Sequence, residues 1–468
     1  MSINPFDLAH AIVAALIAMI LVPLATIPRK YSRLAFYTST ALLAIILILS
    51  IYAFITNVDV TVLVIFHLYA FSEFFVGLFA TALILVNALS YEYSPHYTRF
   101  LLFFSFAVIG MLVVAMANSL ITILLGLELM TLPTAFMIMT SGKHHIEAAV
   151  KLFVLGAIAI GAFAFALALI LPYNLQLGLS ALSTTSPFTG NYLVVLSIIL
   201  LMASLGFEVA AFPFNLWVPD VYQGSPGVVT ALLAGINKKV AFVAMMEIFF
   251  VVFVQYEATF ALMLAALSVV TMFYGNLLAM VQTNVKRLFA YSSISQAGYI
   301  LIGLAVATQF GIEASIVQIV AHVFMIIGAF AIVLWLESRN IKSLDDYNSL
   351  GSRNRFAAAS LAILMLSMAG VPPLLGFIGK FLVFSSAIQT QGLLYLAILG
   401  IVNSFISIYY YAKVIDHMYS GKSNEALPLD RYTAFVVAVS LIAIVIAGVY
   451  PTLLIHAASE VSSALLAL

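Results

Sequence analysis

The chain has no cysteine, so it builds no disulfide, no cysteine-ligated zinc site and no iron–sulfur cluster of its own. It is nearly as poor in charge. Asp, Glu, Lys and Arg make up 8% of its residues, whereas a soluble domain carries about 25%. Lys plus Arg and Asp plus Glu both number 18, so no charge excess points to nucleic acid or to an acidic partner. Glycine-rich loops of the kind that cradle nucleotide phosphates are missing as well. The first stretch, MSINPFDLAHAIVAALIAMILVPLA, lacks the basic start of a secretory signal and continues into a full-length apolar run. It reads as a first helix.

What the chain does have is hydrophobicity. Apolar residues make up 65% of its 468 positions. Runs of about 18 or more apolar residues, enough to cross a bilayer as a helix, recur from end to end. The expected fold class is therefore an all-α polytopic membrane protein with about fourteen transmembrane helices. The expected spans are 7–27, 34–55, 66–90, 99–116, 119–140, 147–172, 192–212, 227–253, 258–281, 288–307, 312–337, 357–388, 393–418 and 432–455. Basic residues fall in alternate connections: Arg29, Lys30 and Arg33; Arg99; Lys143; Lys286 and Arg287; Arg339, Lys342, Arg353 and Arg355; Lys422 and Arg431. The opposite loops, such as 176–190 and 389–392, have no Lys or Arg. This asymmetry places the basic loops inside and both termini outside.

Several ionisable residues fall within spans. Lys238 and Lys239 lie in the eighth and Lys380 in the twelfth, and Glu73, Glu128, Glu208 and Glu247 are acids placed to join them. Such a group at mid-membrane costs about 2.5–3.5 kcal/mol on the insertion scale and faces a polar cavity or a partner. The plain alternative is a set of buried ion pairs that only hold helices together. Packing alone explains so many costly groups poorly. Lys413, near a helix end, is expected to snorkel to the interface. Lys151 has Glu147 four residues earlier, the spacing of a local ion pair.

Two spans carry breakers. AAFPFNLWVPD holds Pro213 and Pro219, and MAGVPPLLGFIGK holds Pro372 and Pro373. Proline stops a helix and frees carbonyls, which in a bilayer only protein or water can satisfy. Glu208 stands five residues before Pro213, and Lys380 seven after Pro373. Each break is the fourth helix of a five-helix block. The expected organisation is a single membrane domain: three helices in 1–98, a first five-helix repeat in 99–253, an inverted second one in 258–418, and a C-terminal helix in 432–468.

At residues 275–304, GNLLAMVQTNVKRLFAYSSISQAGYILIGL resembles the signature of the proton-translocating antiporter-like subunits of respiratory complex I. That superfamily includes large subunits of multisubunit cation/proton antiporters and of membrane-bound hydrogenases. LLGLELMTLP (124–133), EAAVKLFVLG (147–156), PFNLWVPDVYQGSPGVVTALLAGINK (213–238), SLDDYNSLGSRN (343–354), LSMAGVPPLLGFIGKF (366–381) and VNSFISIYYYAKVI (402–415) resemble it too. PDVYQGSP is most similar to the N-type subunit.

The resemblance implies fourteen helices with two inverted repeats and a mid-membrane proton route. On that route Glu128 pairs with a lysine of the first broken helix, Lys238 carries the proton on, and Lys380 leads to the exit. Lys151 matches a further lysine of the family. Lys239 is extra and points about 100° away from Lys238; Lys238 is the preferred candidate. The family's first broken-helix lysine is replaced here by Glu208. Either Glu128 and Glu208, as close buried acids, share one proton, or Lys238 or Lys239 neutralises Glu208. His322, inside the eleventh span, is a candidate relay, since imidazole exchanges protons near neutral pH. Tyr291, Ser292, Ser293, Tyr409, Tyr410 and Tyr411 read as packing and interface residues, and His144 and His145 as solvated.

The resemblance further implies a non-redox, proton-translocating subunit of an NADH:quinone oxidoreductase-like translocase in a prokaryotic plasma membrane. The alternative is a subunit of a multisubunit sodium/proton antiporter; a third reading is a scaffold whose proton path has decayed. The chain itself would hold no cofactor or metal. Iron–sulfur clusters, flavin and quinone would belong to partner subunits: antiporter-like and small membrane-arm subunits, and a peripheral redox arm. Membrane lipids would cover the exposed apolar faces.

Overall fold

The computed structural model describes residues 31–62, 65–94, 96–173, 178–179 and 192–468. The expected first span, 7–27, lies outside them. The helices are α1 (Ser32–Ile55), α2 (Ala70–Tyr93), α3 (Tyr97–Ala115), α4 (Leu120–Thr140), α5 (Ile146–Ile170), α6 (Tyr192–Val209), α7 (Trp217–Gly224), α8 (Gly227–Val252) and α9 (Glu257–Met280). They continue as α10 (Val285–Ala305), α11 (Gln309–Glu337), α12 (Arg355–Ala369), α13 (Leu375–Gln389), α14 (Leu394–Tyr419), α15 (Arg431–Val449) and α16 (Thr452–Leu466). Among the described residues, twelve helices are long and apolar enough to cross a membrane. The expected span 357–388 is the pair α12 and α13, interrupted at residues 370–374.

Three features depart from the expectation. The third span starts at Ala70, because Val60–Val62 and Phe66–Leu68 pair as a small antiparallel hairpin. The β-branched run Val60, Thr61 and Val62 suits a strand better than a helix start. The C-terminal segment is not one helix: Pro451, which cannot continue an α-helix, separates α15 from α16. Finally, α8 is not uniform, since Leu233–Asn237 and Ile248–Val252 are wound as π-helix around an α-helical centre.

The chain forms two compact units. The first comprises residues 1–209, 236–260 and 460–468, the second 210–235 and 261–459. In the first, α1 packs on α2, α3 on α4, and α5 on both α4 and α6; the Lys238–Glu247 part of α8 packs on α3 and α6. In the second, α11 is the hub, touching α10, α12, α13 and α15.

Small residues allow these approaches. A Cβ on Gly110 of α3 would lie 2.5 Å from the Met130 nitrogen and 2.6 Å from the Gly126 oxygen of α4. A Cβ on Gly275 of α9 would lie 2.5 Å from the Ser295 nitrogen of α10. Without a hydrophobic drive between helices in lipid, such backbone-to-backbone packing is what holds them. Helix starts are fixed by Ser119, Asn284, Thr308, Asn354 and Asp430, whose side chains accept from backbone N–H groups of the first turn.

Candidate functional site

In the first unit the chemistry gathers where α4 meets α6. Glu208 sits in the last turn of α6 and is 5% exposed. Thr131 of α4 donates from Oγ1 to Glu208 Oε1 at 3.2 Å. Glu128, one turn earlier on α4, is within electrostatic range of Glu208. It is only partly buried, which corrects the expectation of two fully buried carboxylates. Pro133 interrupts the hydrogen bonding of α4 beside this site. Thr134, next on α4, accepts from Asn237 Nδ2 at 3.4 Å, which ties α4 to the residue preceding the lysine pair.

Lys238 and Lys239 follow directly on the π-helical turn. Both are buried and within electrostatic range of each other. Burial therefore gives no ground for preferring Lys238. The sequence offered no signal for the π-turns, a distortion common at functional sites. Glu73 and Glu247 are also fully buried, and neither oxygen of either carboxyl has a hydrogen-bond partner among the described residues.

Lys151 and Glu147 form the expected ion pair, Nζ to Oε1 2.8 Å, with side chains 38% and 80% exposed. An exposed pair of this kind contributes little stability. His144 is exposed and His145 half-exposed, in line with a solvated loop.

In the second unit the break after α12 is closed by a lysine. Gly370 adopts the left-handed region (φ +91°). The Gly370 N–H donates to the Ser367 carbonyl at 3.0 Å, and the Val371 N–H to the Leu366 carbonyl, also at 3.0 Å, which ends the helix in a Schellman motif. The last carbonyl of the helix, that of Ala369, is met by side chains. Lys380 Nζ donates to it at 3.1 Å and Ser404 Oγ at 3.0 Å. Lys380 also reaches Ser404 Oγ at 3.0 Å and lies 4.4 Å from the centre of the Tyr299 ring, a cation–π contact. The lysine is 3% exposed. It borders a cavity of about 370 Å³ lined mainly by Phe377, Phe381, Phe384, Phe405 and Ile408.

His322 is buried on α11, one turn beyond Gln318. Gln318 donates to Gln296 at 3.0 Å, and Gln296 donates to the Met368 carbonyl at 3.0 Å. The tyrosines divide between the two expected roles. Tyr409 is 55% exposed, as an interface residue should be, but Tyr410 and Tyr411 are fully buried. Tyr411 hydrogen-bonds Ser292, and Tyr410 donates to Asn276 Oδ1 at 3.0 Å. Sequence reasoning missed Asn276, Asn403, Ser404 and Thr131. Asn276 and Asn403 sit inside apolar spans, and a buried amide there must find partners; that was the available signal.

At the basic end of this unit Lys286 bridges to Glu337 at 3.0 Å and to the Ser225 carbonyl at 2.7 Å. Arg287 pairs with Asp220 at 2.8 Å. Both tie the start of α10 to neighbouring segments.

Residues 117–407 match the family described as NADH:quinone oxidoreductase/Mrp antiporter, transmembrane. The chain belongs to this family. It is 36% identical over 404 residues to F(420)H(2) dehydrogenase subunit N of Methanosarcina mazei, covering 82% of this chain and 81% of that one. It is 35% identical over 354 residues to NADH-quinone oxidoreductase subunit N of Desulforamulus reducens, covering 74% of each.

Among solved structures, a chain of respiratory complex I from Thermus thermophilus aligns with TM-score 0.82 and 27% identity over 97% of this chain and 99% of that one. A chain of the Mrp complex from Dietzia sp. shares the fold, with TM-score 0.88 at 19% identity over 99% of this chain and 97% of that one. The relatives are subunits of multisubunit membrane complexes. The chain is thus an integral, multi-pass member of a family of oxidoreductase and antiporter membrane subunits.

Proposed function

We propose that the chain is the proton-translocating N-type subunit of a complex I-like oxidoreductase, taking electrons from NADH or a donor such as F(420)H(2), and that it does no redox chemistry itself. The observation that carries this reading is the burial of Glu208, Lys238, Lys239 and Lys380 in a chain of this family, each beside a helix break or a π-turn. Burial penalises the charged form of an acid or a base, and a nearby opposite charge favours it. Shifting one group's proton or position therefore changes whether the next group binds its own. Glu208, held by Thr131 and facing Glu128, would load a proton in the first repeat. Lys238 and Lys239 would pass charge on, with His322 as relay and Lys380 as the last carrier. Lys151 and Glu147, at an exposed helix start, would sit at the mouth of this route.

The reading extends to the surroundings. The partners would be antiporter-like and small membrane subunits plus a peripheral arm, which would hold the iron–sulfur clusters, flavin and quinone site. Exposed apolar residues such as Ile48, Ile55 and Leu262 would face lipid or those subunits. The basic loops would lie on the cytoplasmic side of a prokaryotic plasma membrane, and the two five-helix blocks would be inverted repeats.

The test is Glu208→Gln in the assembled complex, reconstituted in vesicles. The amide keeps an acceptor for Thr131 but cannot release a proton. Assembly should be retained while protons moved per electron fall. Wild-type pumping would refute a transport role for Glu208. Transport that requires sodium and no electron donor would favour the antiporter alternative.

A further inference from the structure

The mechanism above leaves unused a polar chain in the second unit. It begins at Lys380, whose Nζ lies 3.0 Å from Ser404 Oγ. Ser404 and Ser407 are within hydrogen-bonding reach of the Tyr299 hydroxyl. Asn276 donates from Nδ2 to that hydroxyl at 3.3 Å and accepts at Oδ1 from Tyr410 at 3.0 Å. Tyr410 meets Tyr411, and Tyr411 meets Ser292. Asn276 is pinned by a second amide, since its Nδ2 also reaches Asn403 Oδ1 at 3.0 Å. Its neighbour Gly275 brings α9 against the α10 backbone. All six side chains from Tyr299 to Ser292 in this chain, Asn403 included, are buried.

The direction of the chain is set by its helices. Lys286 and Arg287 mark the basic end of α10, and Ser292 lies about 9 Å of helix rise from Lys286. On α14, Tyr411 lies about 12 Å and Ser404 about 22 Å from the Tyr419 end. The hydroxyls therefore climb from Lys380 toward the basic end. There a polar cavity of about 180 Å³ is lined by Gln223, Asn284, Lys286, Glu337, Lys342 and Tyr347. At about 30 Å³ per water that is room for several waters, and the Tyr347 hydroxyl, buried there, has no hydrogen-bond partner among the described residues.

The geometry points to a proton wire: Ser292, Tyr411, Tyr410, Tyr299 and Ser404 run from Lys380 toward the polar cavity at the basic end, with Asn276 as the fixed junction. Each hydroxyl both accepts and donates. A proton arriving on one oxygen lets that oxygen release its own to the next, so charge moves with no bond lost and nothing oxidised. Asn276 does not carry the proton; it holds the Tyr299 hydroxyl at its Nδ2 and the Tyr410 hydroxyl at its Oδ1, so the two rings meet at the two ends of one amide. Lys380 would thus load from the basic side as well as receive from the first repeat. This inference rests on the proton-transport reading above.

The test uses Tyr410→Phe, Tyr411→Phe and Ser292→Ala in the assembled complex in vesicles, driven by NADH or F(420)H(2), whichever it oxidises. Lys380→Met and Tyr409→Phe run alongside. Lumen acidification is measured against electron flow. The three wire variants should slow proton uptake by about a hundredfold or more, the lower end of what a positioned proton-transfer group contributes. Electron transfer with uncoupler should be unchanged, and Tyr409→Phe should match wild type. Wild-type pumping in the wire variants, with pumping lost in Lys380→Met, overturns the wire and leaves the transport reading standing. Wild-type pumping in Lys380→Met as well sinks both. Should a tyrosine variant not assemble, Ser292→Ala decides alone, because it removes one hydroxyl and little volume.

Discussion

Replacing Gly110 with alanine tests whether helix spacing, rather than the ionisable residues alone, sets the first proton site. The added Cβ would lie 2.5 Å from the Met130 nitrogen and 2.6 Å from the Gly126 oxygen, both backbone atoms. Ordinary contact begins at 3.4 Å, so α4 must retreat from α3 by about 0.9 Å. Thr131 is the next residue after Met130. Its hydrogen bond to Glu208 is 3.2 Å long, near the limit. A shift of that size along the bond would open it to about 4 Å, beyond any hydrogen bond. Overpacking of a methyl group costs about 1–3 kcal/mol, and the upper part of that range applies where no side chain can yield.

The assembled Gly110→Ala complex should therefore melt at lower temperature. Its protons moved per electron should also fall, although no ionisable group has changed. Gly161→Ala on α5 is the control, because nothing lies within 4 Å of its added Cβ. Melting temperature and vesicle acidification should match wild type there. If Gly110→Ala behaves like Gly161→Ala in both measurements, the tight α3–α4 contact does not set the site, and the reasoning fails.

Three further outcomes follow from the second unit. Lys380→Met should assemble as well as wild type: the lost charged hydrogen bonds, about 1.5–3 kcal/mol each, are offset by removing a buried ion, and Ser404 still holds the Ala369 carbonyl. A complex that fails to assemble would show the lysine to be structural. Glu337→Ala strands Lys286, whose side chain is 5% exposed. The loss of about 2–3 kcal/mol expected for a buried pair bordering a wet cavity should appear as a lower melting temperature, partly recovered in Lys286→Met/Glu337→Leu. Asp346 accepts from the Lys342 and Ser343 N–H groups, which holds its exposed carboxyl below the usual range. A depressed folded pKa stabilises the loop above about pH 4, the unfolded value, and the effect is lost as pH falls through the lower folded value. Pepsin should thus cut the 338–349 loop more readily near pH 2 than near pH 4, and Asp346→Asn should remove the difference.

The membrane class, nearly every span and the costly ions were legible because each is written in one dimension. Hydrophobic length gives a span, and a charge inside it announces itself. Lys380 and Glu208 were found that way. What was not legible depends on partners far apart in the chain. Nothing local marks Ser404, yet it shares the Ala369 carbonyl with Lys380. Thr131 looked like an ordinary helix residue until α6 set Glu208 against it. Tyr410 and Tyr411 read as packing or interface aromatics because ring chemistry favours both roles; only the position of α9 and α10 decides between them. The π-turns before Lys238 and after Glu247 left no periodicity long enough to detect.

The two helix breaks solve the same electrostatic problem with opposite charges. A stopped helix leaves carbonyls at its C-terminal end, the negative end of its dipole. At the second break a cation, Lys380, answers that end directly by donating to the Ala369 carbonyl. At the end of α6 the ionisable group is an acid, Glu208, which has no affinity for carbonyls and is held instead by a hydroxyl on a neighbouring helix. A carboxylate at a helix C-terminus is disfavoured by the dipole. An acid here can carry a proton as a lysine can, but it alternates between neutral and −1 where a lysine alternates between +1 and neutral. Glu208→Lys, which restores the cation, should then alter the coupling between electron flow and pumping more than Glu208→Asp, which keeps the sign. Equal pumping in these two variants of the assembled complex would show that the sign of the resting charge has no part in the cycle.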